Sequence, residues 1–187
     1  DVPMVSTGIP DPWLTSEMSS SGYAAVWAKE NTREAIWDAM ARREVYATTG
    51  PRMTVRFFGG WSFAEEDASF QKLAVEGYQR GVPMGGTLHP EEGMNAPTFL
   101  VGANKDPLSG HLDRIQIVKG WLDAEGATHE KIYNVAWSDA HERTLDADGR
   151  LSPVGNTVNI AEATWSNSIG DAELVGYWRD PQFDASE

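Results

Sequence analysis

Four histidines stand in the chain, at His89, His111, His129 and His141, and there is no cysteine. Without thiols there can be no disulfide, no zinc–cysteine site and no thiol nucleophile. The histidines are widely separated and no His-x-His pair occurs. The best placed for chemistry is His141 in Ser138-Asp139-Ala140-His141, because an imidazole and the Asp139 carboxylate are hard or borderline metal ligands. A catalytic metal site needs several protein ligands held around an open position, and one Asp-x-His pair falls short. The motif also follows an expected strand over 131–137. A polar hairpin loop is therefore the favoured reading, and a metal site at Asp139 and His141 ranks third among the functional readings.

Other stretches invite chemistry more weakly. Asp146-Ala147-Asp148-Gly149 begins like a calcium loop, but Arg150 occupies the fifth position and Thr157 the twelfth, where ligands are required. A plain turn fits better. Gly81-Val82-Pro83-Met84-Gly85-Gly86 lacks the Lys and the following helix start of a phosphate-cradling loop, and reads as a tight connection into a strand. Thr48-Thr49-Gly50-Pro51-Arg52 offers two hydroxyls and a guanidinium, which suit an anionic substrate or a developing negative charge. Thr48, Thr49 and Arg52 are thus candidate pocket-lining residues. The competing reading is a junction, with threonines capping and Arg52 paired to an acid. Trp27, Trp37, Trp61, Trp121, Trp137, Trp165 and Trp178 could stack on sugar rings, although core packing explains such residues more often. No Ser-His-Asp order with a nucleophile elbow is present.

The elements that would position these groups can be read from periodicity. Asn31 with Glu34 has capping-box spacing, and Ile36, Ala39, Met40 and Arg43 recur as one buried helical stripe. Arg42 and Arg43 fall in the last turn, where the helix dipole favours cations. A strand over 45–48 follows, ended by Gly50-Pro51. From Met53 the period becomes two, and Gly59-Gly60 between apolar runs signals a hairpin turn into Trp61-Ser62-Phe63. A short helix is expected over 67–78. Strands are expected over 98–103, 113–119, 131–137 and 161–166, separated by turn chemistry at 105–107, 123–126 and 146–149. Short strands at this spacing suggest a β-sandwich. Residues 1–21, with three prolines and a Ser/Met cluster, read as an irregular connector.

At 187 residues, 41% of them hydrophobic and eight of them tryptophan, the chain can bury a sizeable core. Its net charge of -13 argues against nucleic acid, whose phosphates need a Lys/Arg surface. No apolar run reaches the length of a membrane span. Lack of cysteine is as compatible with a periplasmic or secreted location as with any other.

The wording of several stretches is more specific than their physics. Ala24-Ala25-Val26-Trp27-Ala28-Lys29-Glu30 running into Asn31-Thr32-Arg33-Glu34, then Arg42-Arg43-Glu44-Val45-Tyr46-Ala47-Thr48-Thr49-Gly50-Pro51-Arg52, resembles an uncharacterised bacterial family catalogued as a domain of unknown function. That family is related to the PHP-type (polymerase and histidinol phosphatase) metal-dependent hydrolases. The resemblance continues through the 81–86 loop, Leu112 to Trp121, Val154-Gly155-Asn156-Thr157-Val158 and Asn167-Ser168-Ile169-Gly170. It implies a mainly β region with some α. Residues 1–52 would be a connector and the closing helix and strand of a PHP-like catalytic domain, and 53–187 a β-sandwich-like C-terminal domain. It further implies that the chain starts after the metal-binding motifs. On this reading no catalytic residue lies in the chain. The chain itself needs no cofactor, the whole protein uses a divalent metal, and the partner is the upstream PHP-like domain of the same polypeptide. The alternative is a carbohydrate- or protein-binding β-sandwich module.

Overall fold

The computed structural model describes residues 22–90, 93 and 96–184. The expected connector over 1–21 lies outside the described residues. The described elements run β1 (Tyr23–Val26), α1 (Arg33–Ala41), β2 (Val45–Thr48), β3 (Thr54–Gly60), a 3-10 turn (Glu65–Asp67), α2 (Phe70–Arg80), β4 (Gly81–Pro83), β5 (Thr98–Asn104), β6 (Arg114–Leu122), β7 (Thr128–Trp137), β8 (Val158–Asn159), β9 (Thr164–Trp165) and β10 (Glu173–Arg179). Among the described residues the fold is mainly β with two α-helices, and its sheets are antiparallel.

The centre is a four-stranded sheet in the order β10-β5-β3-β4. Its two middle strands, β3 and β5, pair over their full length from Thr54↔Asn104 to Gly60↔Thr98. One face is covered by α2, whose Leu73 joins Phe58, Phe63 and Leu100 in the buried cluster, with Ala68, Val175 and Tyr177 packed around it. Each such side chain contributes roughly 1.5–3 kcal/mol on burial. The helix approaches closely because two glycines permit it. A Cβ at Gly77 would lie 2.4 Å from the Phe58 ring, and one at Gly102 would lie 2.7 Å from Leu73. The other face carries a run of rings. Phe57 stacks on Phe99 at 5.5 Å, Phe99 meets Trp178 at 5.4 Å, and Trp178 meets Tyr133 of β7 at 4.8 Å. The β6–β7 hairpin lies against β10 here, so closely that a Cβ at Gly176 would fall 2.7 Å from Val135. A two-stranded antiparallel hairpin thus packs on the edge strand of the four-stranded sheet.

Several sequence expectations need correction. Gly59 and Gly60 do not form a hairpin turn; they end β3, paired with Val82 and Gly81 of β4. A Cβ at Gly60 would meet the buried Phe63 ring at 2.8 Å, so these glycines serve close packing instead of turn geometry. The helix expected over 67–78 is displaced to Phe70–Arg80, with Ser69 at its N-cap. The strand expected over 161–166 shrinks to Thr164–Trp165. The cap of α1 is Thr32, whose Oγ1 accepts from the Ala35 amide at 3.3 Å, and not Asn31. In the expected stripe only Ala39 is buried, while Met40 is half exposed. Arg43 lies beyond the helix, in the left-handed region with φ 61. Glu44 N donates to Ala39 O and Arg43 N donates to Met40 O, the paired bonds of a Schellman ending.

Candidate functional site

The Thr48–Arg52 stretch leaves β2 at the edge of the β1–β2 pair, where Tyr23 is registered with Thr48. Thr48 is buried, and its Oγ1 has no hydrogen-bond partner among the described residues. Gly22 passes so near that a Cβ there would fall 2.4 Å from the Thr48 carbonyl. Thr49 and Arg52 are exposed. The Arg52 amide donates to Asp106 Oδ2 at 2.7 Å, tying this stretch to the loop after β5. Its guanidinium lies over the Tyr23 ring at 5.2 Å. The three candidates therefore do not converge: one hydroxyl is turned into the protein, and the cation is held outside on an aromatic ring.

Asp139 and His141 sit in the tight turn after β7. Asp139 has φ 54, and its carbonyl accepts from the amides of Glu142 and Arg143 at 2.8 and 2.9 Å. The His141 side chain is 80% exposed, with the Glu142 carboxylate 3.7 Å away. Among the described residues no group of three or more His, Asp or Glu side chains stands together in a metal-holding arrangement. The donor set at this turn thus does not fit a catalytic metal.

What the turn does is aim Arg143 inward. Its guanidinium donates to Asp113 Oδ1 at 2.6 Å, to Ser138 O and Oγ at 3.1 Å, and to the carbonyl of Ser152. Arg114 grips the same carboxylate through Nη2 at 2.8 Å and reaches Leu151 O at 2.8 Å. Burial works to raise the Asp113 carboxyl, but the hydrogen bonds and charges of Arg114 and Arg143 outweigh it and hold it below the usual carboxylate range. Ser138, fully buried, donates to Asp113 O at 3.2 Å and belongs to this clasp. The 146–149 stretch is likewise a plain turn. Asp146 Oδ1 accepts from the amides of Asp148 and Arg150, and Gly149 takes φ 75.

Two concave regions gather side chains that the sequence did not single out together. The first is a cleft of about 390 Å³ lined by Ser109, His111, Asn156, Trp165, Asn167 and Ile169 among others. His111 Nδ1 lies 3.1 and 3.0 Å from the carbonyls of Ile169 and Gly170. Facing two acceptors, Nδ1 must carry the proton, so in the neutral ring Nε2 is the acceptor. Trp165 is 55% exposed at the cleft.

The second lies where β1 and β2 meet α2 and β3, a cleft of about 580 Å³ lined by Trp27, Ala28, Lys29, Arg42, Glu44, Arg56, Tyr78 and Pro83. Trp27 Nε1 donates to Val55 O at 2.8 Å, which pins the indole on the edge of β3. The Arg56 guanidinium stacks on that indole, 3.6 Å from its centroid. Glu44 is 3% exposed and accepts from the Tyr78 hydroxyl and, at 3.4 Å, from Arg42. Burial, and then the hydrogen bond to the Glu44 carboxylate with its charge, push the Tyr78 phenol above its ordinary value, so it remains a donor at neutral pH. Sequence reasoning missed this group because Trp27, Glu44, Arg56 and Tyr78 come from four separate stretches: the ends of β1 and α1, strand β3 and helix α2. The one local signal was Arg56, a cation between Thr54 and the buried Phe58 on one face of β3.

No helix among the described residues is long and apolar enough to cross a membrane. Searches of curated proteins and of solved structures gave no match. The family model described as "Protein of unknown function (DUF3604)" matches residues 10–187, nearly the whole length, and the chain belongs to that family.

Proposed function

We propose that this chain is the non-catalytic C-terminal region of a PHP-like metal-dependent hydrolase, and that it supports an upstream metal-binding domain of the same polypeptide. The observation that carries the reading is the outer face of α1. Ile36, Trp37 and Met40 line one side of that helix, with Trp37 69% and Met40 50% exposed, while Ala39 alone is buried. An apolar helix stripe of this kind is made to be covered. The motif resemblance assigns α1 and β2 to the closing elements of the catalytic domain, so that domain is the natural cover. Divalent metal would activate water in the upstream domain, and the residues here would shape and brace that domain's pocket. Of the residues at and after the end of β2, the exposed Thr49 and Arg52 would face that domain, while the buried Thr48 would brace the strand end.

The test is hydrolysis of a phosphoester by residues 1–187 and by a longer polypeptide carrying the upstream domain, each with added manganese or zinc. The reading expects activity from the longer chain only. Metal-dependent hydrolysis by residues 1–187 alone, lost on His141→Ala, would overturn it in favour of a site at Asp139 and His141.

A second reading, a carbohydrate-binding module, is favoured by the half-exposed Trp165 beside His111, Asn156 and Asn167. An indole can stack on an apolar sugar face while amides and an imidazole take its hydroxyls. Saturable quenching of tryptophan fluorescence by a neutral oligosaccharide, abolished in Trp165→Ala, would support this reading over the first.

A further inference from the structure

We infer that the cleft beneath β1 and β2 is a binding site for a small organic oxyanion, anchored by the Arg56 guanidinium. The inference stands independently of the hydrolase reading and of the sugar-binding one.

Charge comes first. Lys29, Arg42 and Arg56 line the cleft with a single carboxylate, Glu44, in a chain whose net charge is -13. That carboxylate is already satisfied. It is buried, it accepts from the Tyr78 hydroxyl, and Arg42 stands 3.4 Å away. Arg56 is different. Among the described residues no carboxylate lies within ion-pair distance of it, and its recorded side-chain hydrogen bond is to the Tyr78 hydroxyl at 3.4 Å. A guanidinium offers five N–H donors, so most of them remain uncommitted at the cleft.

Geometry comes second. Arginine normally loses considerable side-chain freedom on binding a ligand. Here that freedom is already restricted, since the guanidinium is stacked 3.6 Å from the Trp27 ring centroid and the indole is itself fixed by Val55 O. Tyr78 closes a second side, 5.9 Å from the guanidinium carbon. Stacking covers a face of the guanidinium and leaves its edges, where the donors lie. An edge-presented, pre-oriented fork is the arrangement that recognises carboxylate, sulfate or phosphate in a bidentate manner. Lys29 is exposed at the rim and can add a point charge, while Ala28 and Pro83 give apolar wall for the organic part of the ligand. A structural ion pair would require a protein carboxylate on Arg56, and the neighbouring Glu44 is engaged elsewhere.

The experiment is isothermal titration calorimetry of the chain at constant ionic strength with three probes, sodium sulfate, inorganic phosphate and benzoate. The inference expects saturable one-to-one binding of at least one probe. Preference for sulfate or phosphate identifies a tetrahedral oxyanion, and preference for benzoate identifies a planar carboxylate with a ring against Pro83. Arg56→Gln should weaken that binding by about tenfold or more, the loss expected for a charge-assisted pair. Arg56→Lys keeps the charge but not the fork and should fall between, and Arg150→Gln on the distant 146–149 turn should change nothing. If Arg56→Gln fails to fold by circular dichroism, the doubly substituted Lys29→Gln, Arg42→Gln chain gives the same reading, with weaker binding expected. Absence of saturation with all three probes overturns the inference, as does binding that is indifferent to the cleft substitutions.

Discussion

Helix α2 buries Leu73 and Gly77 against the sheet, whereas α1 buries Ala39 alone and leaves Trp37 and Met40 largely in solvent. Both helices have an apolar stripe. The first finds its cover within the chain, since Phe58, Phe63 and Leu100 stand opposite it. The second has no such cover among the described residues. The β1–α1–β2 unit is attached instead by polar and aromatic links: Trp27 to Val55, Glu44 to Tyr78, and the Arg52 amide to Asp106. The contrast teaches that an apolar stripe read from the sequence does not by itself show whether the chain covers it. One region of this molecule is a closed core, and the other is an exposed apolar helix face at the edge of it.

Five substitutions would break or sharpen that contrast. Leu100→Ala, at a fully buried site, should cost about 3 kcal/mol in denaturant melts, the usual penalty for such a cavity. Gly77→Ala tests close packing under α2. Helix propensity alone would stabilise the chain by roughly 0.8–1 kcal/mol. A Cβ placed 2.4 Å from the buried Phe58 ring should outweigh that and leave a net loss of about 2 kcal/mol. A measured gain would mean that the helix can lift from the sheet. Thr32→Ala should cost about 1 kcal/mol through loss of the cap, and Asn31→Ala should be nearly silent. Met40→Ala should change the stability of this chain by less than about 0.5 kcal/mol, because the side chain is half exposed. A loss of the size expected for a core truncation would place the α1 stripe inside after all.

The strands that bury one face were the legible ones. In β6 and β7 polar and apolar residues alternate, and both were read within a few residues of their observed bounds. Strand β10 escaped notice because the buried cluster under α2 and the β6–β7 hairpin occupy its two sides. Val175 and Tyr177 pack on the buried cluster while Gly176 and Trp178 meet the hairpin, so no period-two pattern survives. Strand β1, four residues of Tyr-Ala-Ala-Val, is too short to carry a period. The Gly59-Gly60 signal misled because glycine marks close approach as readily as a turn. The site was less legible than the fold. Motif reasoning works along the chain, and it singled out Thr48 to Arg52 and Ser138 to His141 as local strings. Trp27, Glu44, Arg56 and Tyr78 come together only through the pairing of β1 with β2 and the seating of α2 on β3. Nor could spacing have shown that Ser138 and Arg143 serve a clasp on Asp113, since the contact spans 30 residues.

The measurement closest to the central claim is amide hydrogen exchange across α1, made on residues 1–187 and on a longer polypeptide that also carries the proposed upstream metal-binding domain. If α1 is the face on which that domain rests, the amides of Ile36 to Ala41 should exchange far more slowly in the longer protein, while those of α2, already covered, should be unchanged. Equal protection of α1 in both proteins, with the upstream domain folded, would contradict the claim that this helix is the docking face.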